Sequence, residues 1–226
     1  MRGNKLVVLG AGGVGKTSLV VQYLEGFFSS SYKPTVEDCY RHTIQMPDGI
    51  FHTVEILDTA GSHHFPAMRE LSIRSGRGFV IVFSVDDKQS FHEVTELWNL
   101  ITKLRGSQVP VILVGNKSDL NKERKVSEAE AQEIAKDVMN NCRYIETSAK
   151  YNVNVSQLFV QLLLQAKAME QPPTPDPSSG RYSKRLSRRL SSLSSLTGLT
   201  IRRKSSGPKL SEEAEVKRDD QKCVLL

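Results

Sequence analysis

Residues Gly10 to Thr17 read Gly-Ala-Gly-Gly-Val-Gly-Lys-Thr, and no other stretch of the chain restricts its fold so tightly. An apolar run, Leu6-Val7-Val8-Leu9, comes just before it, and a helical pattern, Ser18 to Leu24, just after. A buried strand must therefore turn into a helix across a loop that is half glycine. Glycine lets successive backbone N–H groups curl around an anion where a Cβ would obstruct the approach. The helix that follows turns its positive N-terminal end to the same point. The spacing Gly-x-x-x-x-Gly-Lys-Thr thus predicts a phosphate-binding loop, with Gly10, Ala11, Gly12, Gly13, Val14, Gly15 and Ser18 around the phosphates. Lys16 can reach the β- and γ-phosphates of a nucleoside triphosphate, and the Thr17 hydroxyl can ligate Mg²⁺. The loop alone names neither the base nor the fate of the triphosphate.

From residue 5 to residue 169 strand patterns alternate with helical ones. A polar loop, Ser29 to Tyr40, precedes two strand patterns, His42–Met46 and Thr53–Asp58, separated by the turn residues Pro47-Asp48-Gly49. Gly78–Ser84 and Val109–Asn116 are short and almost wholly apolar, as strands covered on both faces are. Arg143–Thr147 reads as a weaker sixth strand. Helices are expected over Phe91–Leu104, Ser127–Met139 and Val155–Met169, the second opened by a capping box of Ser127 and Glu130. This order predicts an α/β fold: a mostly parallel sheet covered on both faces, with one antiparallel edge strand and nucleotide bound at the carboxyl ends of the strands.

Asp58-Thr59-Ala60-Gly61 closes the third strand pattern, where an aspartate can hold Mg²⁺ and the Gly61 N–H can face a γ-phosphate. Asn116-Lys117-Ser118-Asp119 follows the fifth. A carboxylate at Asp119 can accept two hydrogen bonds from guanine, at N1–H and the exocyclic amine, which adenine cannot donate. Ser148-Ala149-Lys150, after the sixth, would close over the base.

Together these motifs resemble a Ras-superfamily small GTPase over about residues 5–169. The resemblance implies a P-loop NTPase with a six-stranded, mostly parallel sheet, five helices on its two faces and two loops that sense the nucleotide. GTP or GDP with Mg²⁺ is the implied ligand, bound also through Thr59 and Ala60. Tyr32-Lys33-Pro34-Thr35-Val36-Glu37-Asp38-Cys39-Tyr40 is similar to the effector loop of the Ras subfamily. By that match Thr35 binds Mg²⁺ and the γ-phosphate, and Phe28 lies against the guanine ring. Implied partners are effectors with Ras-binding domains, exchange factors and GTPase-activating proteins. His64 to Arg69, leading into Leu71-Ser72-Ile73, looks most like the Di-Ras and dexamethasone-induced Ras branches. One position departs from the pattern. Where Ras carries a glutamine that orients the attacking water, this chain has Ser62, which is too short to reach that water unaided. With Lys16, Thr35 and Gly61, Ser62 completes the candidate catalytic set. His63 and His64 beside it are left without a role.

At Gln171 the composition changes, which divides the chain into a domain of residues 1–170 and a tail of residues 171–226. The tail opens Gln-Pro-Pro-Thr-Pro-Asp-Pro, a poor sequence for any helix or central strand. It carries 12 Lys and Arg against 6 Asp and Glu, and so supplies the entire formal net charge of +6. It reads as a disordered basic segment. Its last residues, Cys223-Val224-Leu225-Leu226, fit a prenylation site at Cys223, with the final leucine favouring geranylgeranyl. One lipid anchors weakly, and the basic residues supply a second attraction to an anionic membrane surface. That favours a membrane over nucleic acid as the partner of the charge. Leu186, Leu190 and Leu193 share a helical face that suits a membrane or calmodulin, and Arg-Arg-Leu-Ser at 188–191 resembles a basophilic kinase site.

The three cysteines form no paired motif, no leader is visible, and no run approaches the ~18 apolar residues of a spanning helix. The chain is expected on the cytoplasmic face of the plasma membrane or an endomembrane, held by its lipid. The expected function is a membrane-attached, Ras-like GTPase switch that hydrolyses GTP slowly. The alternative is a GTP-binding scaffold with negligible hydrolysis, governed by abundance and tail phosphorylation.

Overall fold

The structure is a computed structural model and describes residues 4–61, 66–140 and 142–170. Ser62, His63, His64, Cys223 and the whole tail therefore lie outside the described residues. Among the described residues six strands form one sheet: β1 (Asn4–Gly10), β2 (Glu37–Gln45), β3 (Phe51–Thr59), β4 (Gly78–Ser84), β5 (Val111–Asn116) and β6 (Arg143–Glu146). Their order across the sheet is β2-β3-β1-β4-β5-β6. All neighbours run parallel except β2 and β3, which pair antiparallel with Glu37 opposite Thr59.

Among the described residues there are five α-helices: α1 (Lys16–Glu25), α2 (Pro66–Ser75), α3 (Lys88–Arg105), α4 (Glu128–Glu133) and α5 (Val155–Glu170). A π-helical turn, Ile134–Val138, continues α4. Side-chain alternation along the strands divides the core between the two faces. On one face Leu6, Val8, Val80 and Val82 pack with Leu19 and Val20 of α1 and with Leu158, Phe159, Leu162 and Leu163 of α5. On the other, Val7, Leu9, Ile81 and Phe83 pack with Ile73 of α2, with Phe91, Val94, Trp98 and Ile101 of α3, and with Ala131 of α4. The expected doubly covered sheet is what forms, with β4 and β5 buried throughout.

α3 starts at Lys88, three residues before the expected Phe91, with Asp87 as its cap, and β3 starts two residues early at Phe51. Three further boundaries differ for physical reasons. The strand expected over His42–Met46 begins at Glu37, so the polar loop ends before Glu37 and not at Tyr40. Its alternation is muted because β2 is an edge strand: Tyr40 and Ile44 face the core while Cys39, Thr43 and Gln45 are exposed. β5 starts at Val111, because the proline at position 110 has no N–H to give the ladder. The helix expected over Ser127–Met139 keeps its capping box but finishes as the π turn.

β1 lies inside the sheet, with β3 and then β2 on one side of it and β4, β5 and β6 on the other. The loop after β1 thus opens where strand order reverses, the place where such sheets bind ligands.

Candidate functional site

A cleft of about 640 Å³ lies at the carboxyl ends of the strands. Gly12, Gly13, Gly15, Lys16, Thr17 and Ser18 form its floor, with Thr59 and Gly61 from the end of β3. Asn116, Lys117, Asp119, Ala149 and Lys150 form one wall, and Phe28, Tyr32, Lys33 and Thr35 the other. Motifs more than 130 positions apart in sequence therefore meet around one cavity.

The glycine loop is shaped by its neighbours. Gly15 sits at φ 95° at the N-cap of α1, and a Cβ there would run into the Asn116 amide. No side chain caps the helix, which leaves its first-turn N–H groups to an outside acceptor. Gly61 packs on the backbone of Gly12, where no side chain would fit. Lys16 is buried, and its Nζ donates to the carbonyls of Gly10 at 2.9 Å and Ala11 at 2.8 Å. Burial brings its pKa down to about 8, against the attraction of Asp58.

Asp58 is fully buried, and burial lifts its pKa to about 6. Its Oδ2 accepts from Thr17 Oγ1 at 2.6 Å, while Oδ1 has no partner. Thr35 Oγ1 lies 2.7 Å from Thr17 Oγ1. Because the Thr17 proton goes to Asp58, Thr35 is the donor in the second bond. Two hydroxyls and a buried carboxylate with a spare oxygen make a hard donor set that fits Mg²⁺. Among the described residues no three His, Cys, Asp or Glu side chains come together so as to hold a metal ion by themselves. A Mg²⁺ site shared with phosphate oxygens needs none.

On the other side, Asn116 ties three loops together. Its Nδ2 donates to the Val14 carbonyl at 2.8 Å, and its Oδ1 accepts from Thr147 Oγ1 at 3.1 Å and from the Ala149 N–H at 3.4 Å. Ser148 Oγ donates to Asp119 Oδ1 at 2.6 Å and so aims the carboxylate. Behind this wall Arg124 grips Glu146 with two bonds, 2.7 and 2.9 Å, and holds that carboxyl below its ordinary range.

Six residues expected to touch nucleotide do not line the cleft: Gly10, Ala11, Val14, Asp58, Ala60 and Ser148. Gly10, Ala11, Val14, Asp58 and Ser148 act one layer back, through the contacts just given. Ala60 borders a smaller groove beside Val36, Glu37, Met68 and Ser72. Val21, Phe27, Ser29, Ser30, Ser31 and Leu120 line the cleft without having been singled out. For all but Val21, which comes from α1, the one sequence signal is nearness to Phe28 or Asp119.

A strand–glycine loop–helix unit that forms the floor of a cleft at the switch point of a mostly parallel sheet defines a P-loop nucleoside triphosphate-binding protein. The Ras family profile matches residues 5–168. The chain is 48% identical over 161 residues to the GTP-binding protein Di-Ras1 of Homo sapiens, covering 70% of this chain and 79% of the relative. Di-Ras1 of Mus musculus is 47% identical over the same shares. The GTP-binding protein drn-1 of Caenorhabditis elegans is 40% identical over 184 residues, 80% of this chain and 83% of the relative. The chain belongs to the Ras family and resembles its Di-Ras branch. As a Ras-family protein it binds GTP and GDP with Mg²⁺, hydrolyses GTP, and has effectors, exchange factors and GTPase-activating proteins as its general partners.

Proposed function

We propose that this protein is a membrane-attached GTPase switch whose intrinsic hydrolysis is slow. The observation that carries the reading is Ser62, the residue directly after Asp58-Thr59-Ala60-Gly61. In-line phosphoryl transfer needs an oriented water, and a serine side chain stops short of it. In this reading Lys16 pairs with the β- and γ-phosphates, and the Gly61 N–H faces the γ-phosphate. Thr17, Thr35 and Asp58 hold Mg²⁺, which neutralises phosphate charge when bound. Asp119 reads guanine, with Phe28 along the ring and Ala149 and Lys150 over it. The loop Tyr32 to Tyr40 meets effectors that carry Ras-binding domains.

Residues 1–170 form the switch domain and residues 171–226 a basic tether. Cys223 carries a geranylgeranyl group, and Lys184, Arg185, Arg188 and Arg189 draw the tether to an anionic cytoplasmic leaflet, each by about 1 kcal/mol. A phosphate at the basophilic site Arg-Arg-Leu-Ser, residues 188–191, would bring about −2 charge and weaken that attraction. Calmodulin competes for the same leucine-bearing segment. Among the described residues no helix is long and apolar enough to cross a membrane, and the lipid reading requires none.

Two measurements test this. Protein isolated from expressing cells should partition with membranes and carry mostly GTP, and Cys223→Ser should move to the soluble fraction. Mostly GDP on the wild type would contradict slow hydrolysis, and a membrane-bound Cys223→Ser would contradict the lipid. The second concerns pH. With the Asp58 carboxyl raised to about 6, a proton competes with Mg²⁺ below that value and hardly at all above it. Mg²⁺ affinity, read from its slowing of nucleotide release, should be flat above pH 6 and fall about tenfold per unit below. Equal affinity at pH 5 and pH 7.5 would contradict a raised Asp58 carboxyl at the metal site.

A further inference from the structure

Ser72 of α2 is buried, and its Oγ reaches Glu37 Oε1 at 2.6 Å. The Met68 carbonyl, one helical turn back, lies 2.9 Å from the same Oγ. A hydroxyl has one proton, so the two acceptors compete for it. The carboxylate is nearer and charged, and a charge-assisted bond outweighs the back-bond a helical serine ordinarily makes. The contact joins two elements 35 positions apart and lies outside the nucleotide cleft.

Both ends of this contact are anchored. Glu37 opens β2 opposite Thr59, two residues past Thr35, whose hydroxyl meets Thr17 beside Asp58. Ser72 precedes the last turn of α2, and that turn is capped from α3. Arg105 Nη1 donates to the carbonyls of Ile73 at 3.1 Å, Arg74 at 2.8 Å and Gly76. A cation on a helix C-terminus meets both its free carbonyls and its dipole. Thr35 and α2 are thus linked through one hydrogen bond between a half-buried carboxylate and a buried hydroxyl.

We propose that Ser72 and Glu37 form a latch that transmits the inward position of Thr35 to α2, with Ser72 a positioning residue for the triphosphate-bound state. The proposal rests on the assignment of Thr35 as a ligand to Mg²⁺ and the γ-phosphate. The latch is seen with Thr35 turned in toward Thr17 and Asp58, the arrangement that a γ-phosphate and metal reward. It therefore stabilises the triphosphate complex and is indifferent to the diphosphate.

The test is the dissociation rate of fluorescent GDP and of a non-hydrolysable fluorescent GTP analogue from the full chain. Ser72→Ala should speed loss of the GTP analogue about three- to tenfold and leave GDP loss within about twofold. Glu37→Gln, which keeps the shape and weakens the acceptor, should do the same, and the double variant should be no worse than either single one. Thr35→Ala reports on the underlying assignment and should accelerate loss of the analogue selectively. If Thr35→Ala leaves the ratio of the two rates unchanged, the ligand role of Thr35 falls and the latch with it. If Thr35→Ala changes the ratio but Ser72→Ala and Glu37→Gln do not, or accelerate both nucleotides alike, the latch alone is overturned.

Discussion

Asp119→Asn is expected to weaken GTP binding by about 10²- to 10⁴-fold and to admit xanthosine triphosphate in its place. The carboxylate offers acceptors to two guanine donors, and each charged hydrogen bond is worth about 1.5–3 kcal/mol. Ser148 Oγ already donates to Oδ1 at 2.6 Å, which fixes the group in the wall of the cleft before any base arrives. An asparagine of the same shape keeps an acceptor at one position and puts an N–H₂ donor at the other. That donor clashes with the exocyclic amine of guanine and pairs with the C2 oxygen of xanthine. Displacement of fluorescent GDP by GTP and by xanthosine triphosphate reads both effects. Unchanged GTP affinity in the variant would remove Asp119 from the base site.

The phosphate loop and the base-reading loops were legible because each is a contiguous run whose residue types follow from a ligand. Backbone curvature demands Gly15, and a donor pair on guanine demands a carboxylate at Asp119. The sheet was legible for a similar reason: strands such as Gly78–Ser84 are apolar along their whole length because both faces are covered. Where one face is open, the signal fades. The start of β2 at Glu37 hid behind the exposed Asp38 and Cys39. Only the family resemblance implied a helix near α2. Just Ser72 and Ile73 of it are buried, and Leu71 is exposed, so no apolar stripe marks it.

Contacts between distant segments were not legible at all. Asn116 reads as part of a base motif, yet its amide chiefly braces Val14 and Ala149. Glu37 reads as an effector residue, and nothing in its neighbourhood in sequence announces Ser72. Such pairs depend on where the fold brings two side chains, and that follows from sheet order and helix packing together.

Slow hydrolysis is the second large effect expected. The described site supplies binding and metal ligands through Lys16, Thr17, Thr35 and Asp58, and by the family match orienting the water falls to the residue after Gly61. The residue whose position answers to that task is Ser62. Misplacing one reacting group costs about 10²-fold, or nearly 3 kcal/mol of barrier. An activator that contributes only an arginine should rescue little of this, because its arginine works together with the missing glutamine. One that brings its own water-orienting side chain should still act.

Single-turnover GTP hydrolysis on the wild type and on Ser62→Gln puts the switch reading to its most direct test. A wild-type rate about 10²-fold below that of Ser62→Gln is the predicted result. A wild type as fast as the glutamine variant would contradict it, and would move the search for the water-orienting group to His63 and His64.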